Sequence, residues 1–336
     1  MDSITHIALG ACMGEAFAGR KLGKKAMLWG AIAQSAPDID FLASFWMDTT
    51  SNLLAHRGFT HSILFCLLLT PVLALVAERF ERKHDISFRH WMIFFGGVIL
   101  AHIFFDAFNN YGVGWFEPFT HNRISFNLLY VADPLFSIGP LIAFVLLVIR
   151  HIGWKIRRQI ALLALAMCGV YLGYALLNKK VIQTKVKTSL EVQHIPYTRL
   201  MTTPAPFQNW LWYIVAEDGD GYHIGYRSVF DKQDDITFTY FPRNDSLLLG
   251  ELDHEALHKL KRFSQEYYTI EQQENTLVFN DLRFGQVMGW DDPKGKFVFH
   301  YYLQNPEDNL LVVQRGRLSG WNKQTIPTFV RRVRGK

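Results

Sequence analysis

Four apolar runs in the first 180 residues limit what this chain can become: 62–77 (SILFCLLLTPVLALVA), 91–105 (WMIFFGGVILAHIFF), 134–149 (PLFSIGPLIAFVLLVI) and 160–177 (IALLALAMCGVYLGYALL). Each lies near the roughly 20 residues that carry a helix across a bilayer core. Two weaker segments, 3–18 and 26–46, mix apolar residues with Gly, Ala and polar groups. Small residues let helices approach closely, so these two read as helices inside a bundle. The expectation is an all-α, polytopic membrane domain of about six helices over residues 1–180.

Residues 181–336 read as a second, extramembrane domain. Strand-like runs occur at 211–216, 222–229, 236–241, 276–280, 296–303 and 309–314, rich in Val, Phe and Tyr. Turn residues bound them, among them Asp218-Gly219-Asp220-Gly221 and Pro293-Lys294-Gly295. One helix is expected near 253–268. The fold class is therefore a helical membrane domain followed by a small β-rich (α+β) soluble domain.

Charge divides along the same line. Residues 1–180 hold 16 Lys and Arg against 11 Asp and Glu, and the remainder holds 19 of each. A basic excess confined to the membrane half argues against nucleic acid as a partner. It fits basic loops beside a bilayer. Loop 19–25 carries Arg20, Lys21, Lys24 and Lys25. Loop 78–90 carries Arg79, Arg82, Lys83 and Arg89. Loop 150–158 carries Arg150, Lys155, Arg157 and Arg158. With six alternating helices all three fall on one face, the cytoplasmic one. The N-terminus, loops 47–61 and 109–133 and the chain after 178 fall on the other, with Lys179 and Lys180 counting against this orientation. The first residues have no basic stretch before their apolar run and read as a helix rather than a signal peptide. Cys12, Cys66 and Cys168 offer neither a disulfide framework nor a CxxC zinc site.

The ionisable residues of the apolar half cluster at the non-cytoplasmic end: His6, Asp38, Asp40, His56, His61, His102 and Asp106, with His121 and Asp133 in the next loop. His102 and Asp106 are four apart and share a helix face. Asp38 and Asp40 follow Pro37, which interrupts a helix and turns carboxylates toward a cavity. Charges at membrane depth are costly and mark function. Imidazole nitrogens with carboxylate oxygens suit Zn²⁺ first, then Mn²⁺ or Fe²⁺, with one to three ions in reach. Such an ion activates water and polarises a phosphoryl or carbonyl oxygen. Asp40 is a second metal ligand or a general base. Arg57 either balances phosphate charge through its planar fork or pairs with lipid phosphate. Asp133 before Pro134 reads as a helix cap. His84, His90 and His151 read as solvated loop residues, and the His254–His258 pair as surface.

The runs Asp2-x-x-Thr5-His6, Pro37-Asp38-Ile39-Asp40, His56-Arg57-Gly58-Phe59-Thr60-His61-Ser62 and His102-x-x-x-Asp106 together resemble the LexA-regulated, inner-membrane-associated metal-dependent hydrolases, over residues 1–180. That resemblance implies a metal-dependent hydrolase of the bacterial inner membrane. A more distant likeness is to the zinc-dependent phospholipase C and single-strand nuclease group. It implies His6, Asp38, His61, His102 and Asp106 as ligands, although that group's N-terminal tryptophan is lacking. The expected reaction is hydrolysis of a phosphoester, with membrane lipid as environment and candidate substrate. The alternatives are an anchored scaffold with a structural metal and an ion or proton pathway.

Overall fold

Glycine sets the first helix pair. α1 (Ser3–Leu22) starts at Asp2, whose side chain caps the Thr5 amide, and ends at Gly23. α2 (Lys24–Ser35) then returns along it. Gly10 and Gly30 meet backbone to backbone: a Cβ at either would collide with the carbonyl of the other, and one at Gly14 would collide with Ala26. The small residues of segments 3–18 and 26–46 thus allow close approach, as expected of helices inside a bundle. The second segment is not one helix. α2 stops at Ser35, and the chain enters a 3₁₀ helix at Pro37–Phe45, since proline lacks the N–H that would continue the ladder.

The computed structural model describes residues 1–150, 152–249, 253–273, 276–304, 309 and 321–336. His151 and most of the strand expected at 309–314 lie outside the described residues. The helical region continues with α3 (Thr49–Ala55), α4 (Ile63–Phe80), α5 (Phe88–Asp106), α6 (Pro134–Ile149) and α7 (Trp154–Val192). Among the described residues α4, α5 and α7 are long and apolar enough to cross a membrane, and the 16-residue α6 is a shorter apolar helix. Ser62 caps α4 by accepting from the Phe65 amide at 3.0 Å. Asp133 caps α6 through the Leu135 and Phe136 amides, with Pro134 at the first position, so the cap reading of Asp133 holds. α4 packs on α5 around Cys66, Ala74, Phe95 and Ile99.

Two compact units result. One comprises 1–43, 55–126 and 130–175; the other comprises 44–54, 127–129 and 176–336. The second carries two antiparallel sheets. Strands β1 (Arg199–Pro204), β2 (Leu211–Asp218), β3 (Gly221–Ser228) and β4 (Thr239–Pro242) pair in sequence order. β5 (Tyr268–Gln273), β6 (Thr276–Gln286) and β7 (Phe297–Tyr302) form the other sheet. The Asp218–Gly221 turn closes the β2–β3 hairpin with Gly219 at positive φ. Met201, Tyr213, Val215, Ile224, Leu282 and Phe297 share a core. α8 (His254–Phe263) stands where a helix was expected. β1, β5 and α9 (Thr325–Val333) carry no comparable sequence signal; in α9, Pro327 and the β-branched residues disguise a helix that buries Phe329 and Val333.

Gly30→Ala is expected to cost about 1–3 kcal/mol through overpacking. Gly97→Ala on α5, where an added Cβ meets nothing within 4 Å, is expected to be neutral. Thermal-shift midpoints in detergent check both, and equal midpoints for the two variants would refute the close packing of α1 on α2.

Candidate metal centre

Three segments bring their side chains to one point. The 3₁₀ turn after Pro37 supplies Asp38, the short 3₁₀ turn Phe59–His61 supplies His61, and the last turn of α5 supplies His102 and Asp106. One ligand atom from each lies within 4.8 Å of all the others. His61 Nε2 stands 3.1 Å from His102 Nε2, 3.6 Å from Asp38 Oδ1 and 3.4 Å from Asp106 Oδ2. His102 Nε2 stands 3.6 Å from both carboxylate oxygens. Tetrahedral Zn²⁺ with bonds of about 2.0–2.1 Å implies ligand-to-ligand edges of about 3.3–3.4 Å. The observed separations bracket that edge.

Hydrogen bonding says which nitrogens carry protons. His102 Nδ1 lies 2.5 Å from the Gln34 carbonyl oxygen. A carbonyl only accepts, so Nδ1 holds the proton and Nε2 keeps its lone pair. His61 Nδ1 faces Thr60 Oγ1 at 3.0 Å and the Asp40 carboxylate at 3.5 Å, which favours the same tautomer. Burial keeps the His61 imidazole below its ordinary pKa, outweighing the pull of Asp38 and Asp40. Two bare nitrogens therefore face two carboxylate oxygens. Asp106 Oδ2 is buried and, apart from its ion-pair contact with Arg57 Nε at 3.1 Å, accepts no hydrogen bond. A set of four lone-pair donors around a common point is the electrostatic signature of a cation site, and the residues present fit a divalent ion.

Around the four stands a supporting layer. Arg57 reaches both acidic groups of the site. Its backbone, at φ +58°, aims the amide at Asp40 Oδ2 (2.7 Å), while its guanidinium meets Asp106 Oδ2 at 3.1 Å and Asn109 Oδ1 at 2.8 Å. On its other oxygen Asp106 meets the Met1 amino group and His6 Nε2. His6 Nδ1 in turn faces the Gln34 amide nitrogen at 3.2 Å.

The expected residues are thus sorted. Asp38, His61, His102 and Asp106 come together. His6 lies against Asp106 at 3.0 Å and stays outside the four, because its Nε2 is turned to the oxygen that faces away from them. Asp40 sits behind His61. His56 touches Asp40 at 3.4 Å with 43% of its side chain exposed. Of the four, only Asp38 reaches solvent, at 26%, and the others are sealed. His121 pairs with Glu117 at the surface, and His254 and His258 are exposed. Gln34 and Asn109 escaped the sequence reading. Their only signal was an uncharged amide in an apolar setting or beside Asp106.

The match to a known family falls on this same half. Residues 1–182 match the model of the family described as YdjM inner membrane protein. "Uncharacterized protein YfhP" of Bacillus subtilis is 25% identical over 234 residues, covering 67% of this chain and 68% of that protein. "Inner membrane protein YbcI" of Escherichia coli is 30% identical over 122 residues, covering 36% of this chain and 69% of that protein. No solved structure matches.

His102→Ala and Asp106→Asn are each expected to abolish stoichiometric metal in elemental analysis of the purified protein. Asp40→Asn is expected to weaken metal affinity by about 10–100-fold through His61, and His56→Ala to leave the metal content unchanged. Metal retained in full by the Asp106→Asn protein would refute the four-ligand site.

Proposed function

We propose that this protein, which belongs to the YdjM inner membrane protein family, is a multi-pass, metal-dependent hydrolase acting on phosphoesters at the head-group level of the membrane. The observation that carries this reading is the convergence of four lone-pair donors with one exposed member, Asp38. Four protein ligands alone would close a tetrahedral shell, but with Asp38 at the solvent an ion of higher coordination number, such as Mn²⁺, would have room there for a water or substrate oxygen. The four donors cluster at one end of the helices, and the buried acid deeper in α1, Glu15, is neutralised by Arg157, which argues against an ion pathway.

Asp38, His61, His102 and Asp106 would hold the metal. A divalent cation there would supply charge to polarise a phosphoryl oxygen and acidify an attacking water. The chain's own groups do the rest. Asp40 and Thr60 orient His61, and the Gln34 carbonyl orients His102. The buried Arg57 guanidinium balances Asp106 and holds its carboxylate in place. His56, exposed at the rim and oriented by Asp40, is the group positioned to carry a proton to or from the substrate. The site and the β-rich domain are assigned to the non-cytoplasmic side, because the basic loops 19–25, 78–90 and 150–158 belong on the other.

Protein loaded with Zn²⁺ or Mn²⁺ is expected to cleave phosphodiesters, in phospholipid vesicles or in soluble form, with activity lost to a chelator and to Asp38→Ala. His56→Gln is expected to keep its metal but lose about 100-fold or more in kcat. Wild-type protein with full metal and no turnover of either substrate would overturn the hydrolase reading. A reporter fused after Lys336 is expected to read non-cytoplasmic, and a cytoplasmic signal would reverse the assigned orientation.

A further inference from the structure

Positive charge collects where α1 and α6 end and α2 and α7 begin. Arg20 lies fourteen residues after His6 on α1, about 21 Å along the helix axis, so this corner stands away from the metal centre. Three contacts draw the four elements together. The Arg20 guanidinium lies over the Trp154 ring, 5.4 Å from its centre. Arg158, one turn further along α7, donates from Nε at 3.2 Å to the carbonyl of Ala16, one turn before Arg20 on α1. Lys24 donates to the Val148 carbonyl at the end of α6, two residues before Arg150. Arg20, Lys24, Arg150, Lys155 and Arg158 are all exposed.

The chain supplies no acid to offset this charge. Among the described residues none of these five cations pairs with a carboxylate, whereas Lys25 meets Glu81 and, in the other unit, Lys185, Arg199, Arg243 and Arg332 each meet an acid. Glu15, the acid on α1, is taken up by the buried Arg157. The last carbonyls of α6 are also occupied: Leu146 accepts from the Arg150 amide, Leu147 from Arg157 and Val148 from Lys24. Ile149, Trp154 and Ile156 stand exposed among the cations. The apolar run of α7 begins at Ile160, two residues after Arg158, and that helix is long and apolar enough to cross a membrane. Exposed Ile and Trp interleaved with Arg and Lys at the end of such a helix mark the boundary between hydrocarbon and head groups.

We infer that this corner binds the phosphate of an anionic membrane phospholipid in the leaflet at this end of the helices. The planar forks of Arg20 and Arg158 suit phosphate oxygens. Lys24, Arg150 and Lys155 add charge that favours a net negative head group over a zwitterionic one. Trp154 holds Arg20 through a cation–π contact and offers its indole to the interface. The ties to Ala16 and Val148 fix these groups within one compact unit, so the site is a defined set of residues and not a general attraction to a charged surface. The inference is independent of the hydrolase reading, because the lipid is held here and not turned over.

The test uses the full-length protein in detergent, titrated with phosphatidylglycerol or phosphatidylcholine and read by native mass spectrometry. Phosphatidylglycerol is expected to bind about tenfold more tightly than phosphatidylcholine. Arg20→Gln combined with Arg158→Gln is expected to remove that preference. Arg82→Gln combined with Lys83→Gln, which takes the same charge from the loop after α4, is expected to keep it, and thermal midpoints in detergent are expected to match wild type in both. A second measurement needs no variant. Wild-type protein in phosphatidylcholine vesicles containing a phosphatidylglycerol with a photoreactive head group is expected to carry adducts on Arg20, Lys24 and 154–158. Equal affinity for the two lipids, an equal loss in the two double variants, or adducts spread evenly over 78–90 as well would overturn the site. Displacement of phosphatidylglycerol by millimolar inorganic phosphate would overturn a lipid as its occupant.

Discussion

The Asp106 carboxylate is sealed from solvent, and most of the N-terminal unit is arranged to make that tolerable. An isolated buried charge costs several kcal/mol even after relaxation. Here the cost is offset by partners drawn from distant parts of the chain. α1 sends His6, and the turn before His61 sends Arg57. The Met1 amino group completes the set on Oδ1. Each contact ties a separate segment to the end of α5, so the centre acts as a staple for the helices as well as a candidate site for chemistry. This explains why the supporting contacts are as buried as the ligands.

Charge accounts for what remains unbalanced. Arg57 offsets Asp106, but Asp38 brings a second carboxylate to the same point, and the two imidazoles present lone pairs rather than protons. Among the described residues the shared face of the four has no further cationic side chain within the separations given above. A small divalent ion resolves this in a way that protein atoms do not. The same arrangement assigns Asp38 a distinct part. It is the member of the four in contact with solvent, so its side of the centre is the one open to water.

The sequence made much of this site legible and hid its division of labour. The four-residue spacing of His102 and Asp106 could be read directly as one helix face, and Pro37 announced the break that frees the acidic pair. Asp38 and Asp40 were indistinguishable on the page. In a 3₁₀ helix successive residues turn by about 120°, so positions two apart point in different directions. Asp38 thereby reaches the centre while Asp40 faces Arg57 and the far side of His61. His6 and His56 were hidden for a related reason: a histidine that touches a ligand and one that is a ligand look alike in sequence. Gln34 supports His102 through its backbone carbonyl, a role to which side-chain identity gives no clue. In the β-rich domain, the hairpin turns marked β2 and β3 well. β1 and β5 depend on partner strands, which local pattern does not encode.

Burial also revises the charge argument on orientation, from both sides. Arg157 was counted among the basic residues of loop 150–158, yet it is buried. Its guanidinium pairs with Glu15 on α1, with Nε 2.9 Å from Oε1, and donates to the Leu147 carbonyl at 2.9 Å. A paired, buried arginine exerts little of the pull that loop charges exert on a membrane surface, so that loop is left with Arg150, Lys155 and Arg158. Lys179 had counted the other way. It is part-buried, with Nζ 2.9 Å from the Asn127 carbonyl oxygen. One residue leaves each side of the tally, and the three basic loops still hold the excess. The Glu15–Arg157 pair then takes on a different meaning: it locks α1 to α7 through neutralised charge, as the Asp106 cluster locks α1 to α5. α1 is thus held to its neighbours by one buried ionic contact near its start and another in its second half, and the glycine-lined face that receives α2 lies between helices whose relative positions are already set.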